Sequence, residues 1–379
     1  MMLNLDLCYD VAWELFNVHN LEPEPMTRFM LSGKSPLIAL VKFIKKAKSV
    51  LLWYSKDYYN RYRPRYSYYI LEIKLDNNAK IVVDLRDPNM RQISRWTLSS
   101  VKEVKIDVGV PLPADIMDLL LNNSNFSRLT MYRYDIPTAK LLLQSRRFDY
   151  INMDAEDYGD YEKEPNTLES FSDICIDAEE LKLGNVSLEK IFRVGCIKTN
   201  VLAVDYRNEI FEDSLLAMDV NPSFQSVKTL RLEVLNEDDL FSYTNGILKL
   251  LELLNTRLIN LELFVFLFTQ FHEFKHNMFG YYGVDPDGVE YLLNYKEKMA
   301  SYKGGVKVEF SHRIEFHTFD YSERFLKYYY KELWKNLRGY RSFFYVDKST
   351  GFCKFWKSDK IAENFERSVR VKVEYDAFW

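Results

Sequence analysis

The chain has 379 residues, 47% of them hydrophobic and 16% aromatic, with only 13 Gly and 11 Pro. That is enough apolar surface to offset chain entropy and too little Gly and Pro for a disordered chain, while the length exceeds what one core usually organises, so several units or a repeat array are expected. The net charge of −4 and sequence pI near 5.9 argue against a general nucleic-acid binder, and no run approaches the roughly 18 uninterrupted apolar residues of a membrane helix.

The opening Met-Met-Leu-Asn-Leu-Asp has no basic segment followed by an apolar one, so no secretory leader is expected. Four cysteines, Cys8, Cys175, Cys196 and Cys353, form no Cys-x-x-Cys pair, a usage that suits reduced thiols in cytoplasm or nucleus. Charge is unevenly spread. Between Arg28 and Arg65 stand ten Lys/Arg and one acid, Asp57, whereas Asp149 to Glu180 holds twelve acids and one base, Lys163.

Residues 1–48 read as a small helical module. Leu7, Val11, Leu15 and Phe16 make a stripe at helical spacing, a loop with Pro23 and Pro25 follows, and Met26, Phe29, Met30 and Leu31 precede Ser32-Gly33-Lys34 and a further helix from Leu37 to Ile44. An apolar face too small to make a core of its own must pack on the rest of the chain or on a partner. The Leu-x3-Val-x3-Leu-Phe run, the Met30–Lys34 run and the apolar Leu37, Leu40 and Val41 resemble an F-box, the motif that binds the Skp adaptor of cullin-based ubiquitin ligases. Two positions depart from that motif: Leu7-Cys8 stands for the usual opening Leu-Pro, and Gly33 for the usual Ser before Lys34. The resemblance implies adaptor contacts at Leu7, Val11, Leu15, Phe16, Met30, Leu31 and Leu37. The order of parts along the chain resembles the nematode-type F-box proteins with an associated recognition domain.

Residues 49–100 read as short strands, with Tyr68–Leu75 and Lys80–Leu85 joined through Asp76-Asn-Asn78. The stretch Trp53–Tyr69 interleaves Lys56, Arg61, Arg63 and Arg65 with Tyr58, Tyr59, Tyr62, Tyr66, Tyr68 and Tyr69, a mixture that could stack bases and hold phosphates but equally serves protein-binding strands.

Across residues 101–270 the pattern apolar-x-x-apolar-x-apolar recurs, centred on Val104, Leu129, Ile151, Leu181, Val204, Leu230 and Leu261, in steps of about 22 to 31 residues. The last two apolar positions of each match point inward from a short strand, and the chain returns by a helix; 111–122, 186–192 and 238–255 carry helical periodicity. The spacing is that of an irregular leucine-rich-repeat-like solenoid, without the Asn or Cys that regular repeats place after the strand. Asp154, Glu156, Asp157, Tyr158 and Tyr161 fall in an acidic insertion. Insertions in such arrays gather on one face that often binds, so these residues are the candidate target-binding set.

Residues 271–379 read as a mixed C-terminal cap: a helix over 320–337, a hairpin of 342–346 with 352–356, and a last strand over about 369–375. At its start His272-Glu273-Phe274-Lys275-His276 has the His-Glu-x-x-His spacing that, on a helix, lets two imidazoles hold one zinc while the Glu polarises water. No third ligand follows at the usual spacing. The expectation is an α/β protein without cofactor or catalytic residues, docked on a Skp adaptor and a cullin ligase and holding an unidentified protein target, with a plain leucine-rich-repeat-like scaffold and then a zinc hydrolase at His272 and His276 as alternatives.

Overall fold

The computed structural model describes residues 5–17, 28–56, 67–75, 80–86, 88–154, 168–184, 186, 188–193, 196–206, 221–236, 240–273, 299–318, 345–347 and 354–375. The chain divides into two compact units, Met1–Lys182 and Leu183–Trp379. Each is built on a mostly parallel sheet, and the mixed α/β class expected from the sequence is observed.

In the first unit α1 (Leu5–Asn17), a helical turn over 28–31 and α2 (Lys34–Ile44) precede a meander of β1 (Ser49–Lys56), β2 (Ser67–Lys74) and β3 (Lys80–Asp84), paired antiparallel. Strands and helices then alternate: α3 (Pro88–Leu98), β4 (Glu103–Val108), α4 (Ala114–Asn122), β5 (Arg128–Tyr134), α5 (Ile136–Ser145), β6 (Phe148–Asp154), a 3-10 turn (Leu168–Phe171) and β7 (Cys175–Gly184). The sheet order is β3-β2-β1-β4-β5-β6-β7, with β1, β4, β5 and β6 successively parallel. α4 and α5 therefore each carry the chain back to start the next strand beside the last, and α3 carries it from β3 to β4 beside β1.

The expected registers appear directly in this ladder. Val104 lies opposite Leu129 and Leu129 opposite Ile151, while Ile106, Met131 and Met153 line up two residues on, all of them buried. The return helices bury one stripe each: Ile116, Met117 and Leu120 in α4, and Ala139, Leu142 and Leu143 in α5. α5 starts where it does because the Asp135 carboxylate accepts from the Thr138 amide at 3.0 Å and hydroxyl at 2.8 Å, with Pro137 in the first turn.

Polar side chains bridge successive turns of the chain just before the strands. Buried Asn123 donates its amide to the carbonyls of Leu98 and Val101, both at 2.8 Å. Arg146 donates to the carbonyls of Leu121 and Asn123, and to those of Phe126 and Leu120 at 3.3 and 3.4 Å. Its guanidinium thus adds donors at the C-terminal end of α4, where helix carbonyls run out of intrahelical partners.

The second unit contains α6 (Leu188–Arg193), β8 (Cys196–Lys198), β9 (Val201–Tyr206), a 3-10 turn (Pro222–Ser226), β10 (Thr229–Asn236), α7 (Leu240–Arg257), β11 (Leu263–Glu273), β12 (Lys307–Thr318), β13 (Tyr345–Asp347), β14 (Lys354–Ala362) and β15 (Phe365–Tyr375). Strands β9, β10, β11, β12 and β15 are successively parallel, and β14 and β13 close the edge antiparallel. Parallel pairing thus continues beyond residue 270 through β12 and β15.

Two sequence frames are corrected here. Leu230 and Leu232 face Leu202 and Val204 on β9, not Val204 and Tyr206, and on β11 they face Phe264 and Phe266, not Leu261 and Leu263. The β9 frame moves by two residues along one face, whereas the β11 frame changes face because β11 is apolar on both sides. Leu263, Val265 and Leu267 alternate with the buried Phe264, Phe266 and Phe268, so a period-two pattern leaves their register open. Phe266 stacks on Phe310 of β12 with ring centroids 5.2 Å apart, which fixes the inward set.

The hairpin expected near the C-terminus is present, with Val346 opposite Phe355, and the last strand starts at Phe365. The expected helix over 320–337 lies outside the described residues.

Candidate functional site

α1 packs on α2. Cys8 and Ala12 of α1, and Ala39, Leu40, Phe43 and Ile44 of α2, are buried. The outer sides remain apolar in part: Leu7 is 50% exposed, Val11 40%, Leu31 69% and Ile38 37%. Of the adaptor contacts that the resemblance implies, Leu7, Val11 and Leu31 therefore point outward, Leu37 is half-buried, and Met30 is buried. Met30 closes the turn against the interior and leaves its neighbour Leu31 at the surface. Leu15 and Phe16 continue α1.

Ile38 was not legible as part of this face. It stands one turn from Lys34 and one from Lys42, so its side of α2 reads as a solvated lysine stripe. Gly33, which departs from the F-box pattern, has φ of 158° ahead of α2, a backbone conformation that L side chains rarely adopt.

A second surface is the outward side of β4, β5 and β6, opposite the buried rows. Glu103, Arg128 and Tyr150 align across the three strands. The Arg128 guanidinium stands 4.4 Å from the centre of the Tyr150 ring and 3.8 Å from Glu103, and Lys105 approaches Glu103 to 3.3 Å. Burial, and then the negative charge of Glu180, hold the Tyr150 phenol above its ordinary pKa. Beyond Ile106 the register shifts, so that Asp107 faces Arg133, which it binds at 2.6 Å. Tyr132 is left without an opposite residue and is 40% exposed. Such bulges re-aim a side chain out of the ladder. These ion pairs are half-exposed and contribute little to stability, so the face is a polar, charge-compensated platform with tyrosines on it.

The candidate target-binding set begins on the same strands. Asp154 is the last residue of β6, half-buried at the C-terminal end of the strand. Glu156, Asp157, Tyr158 and Tyr161 lie outside the described residues.

The zinc reading loses its geometric premise. His272 and Glu273 are the last two residues of strand β11, where neighbours alternate faces, and not on a helix that would bring positions four apart together. His276 lies outside the described residues. No group of three or more His, Cys, Asp or Glu among the described residues could hold a metal ion.

The cysteines also depart from expectation. Cys175 and Cys196 are disulfide-bonded, while Cys8 is free and buried. Local spacing could not show this, because only the fold decides which distant thiols come within bonding reach. No helix among the described residues is long and apolar enough to cross a membrane.

Searches against protein-family models, curated proteins and solved structures found no match to this chain.

Proposed function

We propose that this chain is the substrate-recognition subunit of a Skp–cullin–F-box type ubiquitin ligase, with α1 and α2 docking on the Skp adaptor and a leucine-rich-repeat-like solenoid of parallel strands holding a protein target. The observation that supports it is the outward exposure of Leu7 and Val11 on α1, Leu31 on the turn before α2 and Ile38 on α2, beside the buried faces of both helices. Burying a large aliphatic side chain contributes about 1.5 to 3 kcal/mol, so these four positions together supply the apolar part of a protein interface. The chain itself catalyses nothing in this reading; other subunits transfer the ubiquitin.

The target-binding surface would comprise Asp154, Glu156, Asp157, Tyr158 and Tyr161 together with Tyr132 and Tyr150. Tyrosine supplies contact area at low entropy cost, and clustered carboxylates steer a basic partner. Co-purification with a recombinant Skp adaptor tests the proposal. Folded wild-type chain that fails to bind removes it, and the second reading, a leucine-rich-repeat-like binding scaffold without a ubiquitin role, takes its place on the tyrosine-bearing strand face.

A receptor of this kind works in cytoplasm or nucleus, where thiols are held reduced, so the disulfide bonding at Cys175 and Cys196 counts against this placement unless it opens there. Alkylation of thiols in intact cells followed by mass spectrometry of Cys175 and Cys196 tests the placement, since full labelling there is the outcome a reducing compartment gives.

A further inference from the structure

The two helices that carry the exposed apolar residues differ in the charge beside them. On α1 the exposed positions around Leu7 and Val11 include Asp10 and Glu14. The exposed stripe of α2 reads Lys34, Ile38, Lys42, with Lys45 continuing it at the C-cap. Positions four apart share a helix face, so Ile38 is bracketed by lysines along the axis. Among the described residues none of Asp10, Glu14, Lys34, Lys42 and Lys45 makes an ion pair, whereas lysines on the sheet, such as Lys80 with Glu72 at 2.8 Å, do. α1 and α2 pack on one another, so an uncompensated acidic stripe and an uncompensated basic stripe lie on neighbouring helices, each beside apolar residues.

From this we infer that the protein partner covering α1 and α2 is charge-polarised, with carboxylates where it meets α2 and cations where it meets α1, beside the exposed apolar residues of each helix. The inference rests on the adaptor reading and adds the chemistry of the adaptor's contacting face. Complementary charges at the margin of an apolar contact steer encounter and exclude the reversed orientation, and they act mainly on the association rate. A uniformly acidic partner would be attracted by α2 and repelled by α1, and a uniformly basic one the reverse. Only a polarised partner uses both.

The test measures association of the full chain with a recombinant Skp adaptor by surface plasmon resonance over a series of salt concentrations. The variants are the wild type, Lys42→Glu with Lys45→Glu, Asp10→Lys with Glu14→Lys, and Val11→Asp as the apolar control, with circular dichroism and thermal unfolding confirming the fold of each. Both charge reversals are expected to slow association by about tenfold or more at low salt and to flatten its salt dependence, a magnitude typical of lost electrostatic steering. Faster association after reversal on α1 overturns the polarity and indicates a uniformly acidic partner. Unchanged kinetics for both reversals, with binding still lost in Val11→Asp, overturn the polarity and leave the adaptor reading intact. If the folded wild type binds no adaptor, or pairs with a second copy of itself, the adaptor reading and this inference fall together.

Discussion

The side-chain amide of Asn123 donates to the main-chain carbonyl of Val101 at 2.8 Å, across 22 residues of sequence, and with its second hydrogen to Leu98 at the same distance. Its carbonyl oxygen accepts from the Asn125 amide at 2.9 Å. One buried side chain thereby ties the end of α3 to the turn before β5. The Asn123→Leu substitution leaves two buried carbonyls without donors, and a lost buried hydrogen bond with an orphaned partner costs about 1 to 3 kcal/mol each. Urea unfolding followed by circular dichroism is expected to show a loss of this order. An unchanged midpoint would mean that water or a backbone shift replaces the amide.

Acid sensitivity has a local source at Asp84. The Arg86 guanidinium, bound to its carboxylate at 3.0 Å, is the main cause that holds its pKa below the ordinary 3.8; it outweighs burial, which raises the pKa, and the Arg86 main-chain amide adds a smaller lowering. A depressed carboxyl pKa stabilises the fold above the unfolded value, and that contribution is lost as the pH falls through the folded value. Thermal unfolding of wild type and Asp84→Asn across an acid series should therefore show a gap at neutral pH that closes as the pH drops below the ordinary aspartate range. A gap that stays constant with pH would remove the charge from the explanation. The side chains are largely exposed, so the gap is expected to be small.

At the His-Glu-x-x-His sequence the expected result is metal-free protein. Elemental analysis of the purified chain should find no stoichiometric zinc, and His272→Ala should leave folding and any partner binding unchanged. Stoichiometric zinc that His272→Ala removes would restore the hydrolase reading, with ligands drawn from beyond strand β11.

Much of the fold was legible because β4 and β6 alternate and β5 follows them up to its bulge. Val104, Ile106, Leu129, Met131, Ile151 and Met153 each sit between polar or half-buried neighbours, so the inward set, and through it the register, follow from the sequence. β11 is apolar on both faces and hid its frame, while on β9 Leu202, Val204 and Tyr206 share one face, so alternation leaves the position along it open. Regular leucine-rich repeats place their polar bridges after the strands, whereas Asn123 and Arg146 stand before β5 and β6.

The helix face was partly legible for a related reason. Spacing alone finds a stripe at Leu7, Val11, Leu15 and Phe16 but does not say which side of a two-helix pair the rest of the chain covers. Packing turned Met30 inward and left Ile38 outside, between lysines that masked it.

Docking of α1, the 28–31 turn and α2 on a Skp adaptor is tested most directly by the equilibrium binding of purified chain to that adaptor for wild type and for Leu7→Asp, Val11→Asp and Leu31→Asp. A carboxylate cannot enter an apolar interface without several kcal/mol of desolvation, so each substitution is expected to weaken binding by about a hundredfold or more. Because these side chains are exposed, thermal stability should move little. Wild-type chain that is folded and shows no adaptor binding, or variants that bind as tightly as wild type, would contradict the assignment.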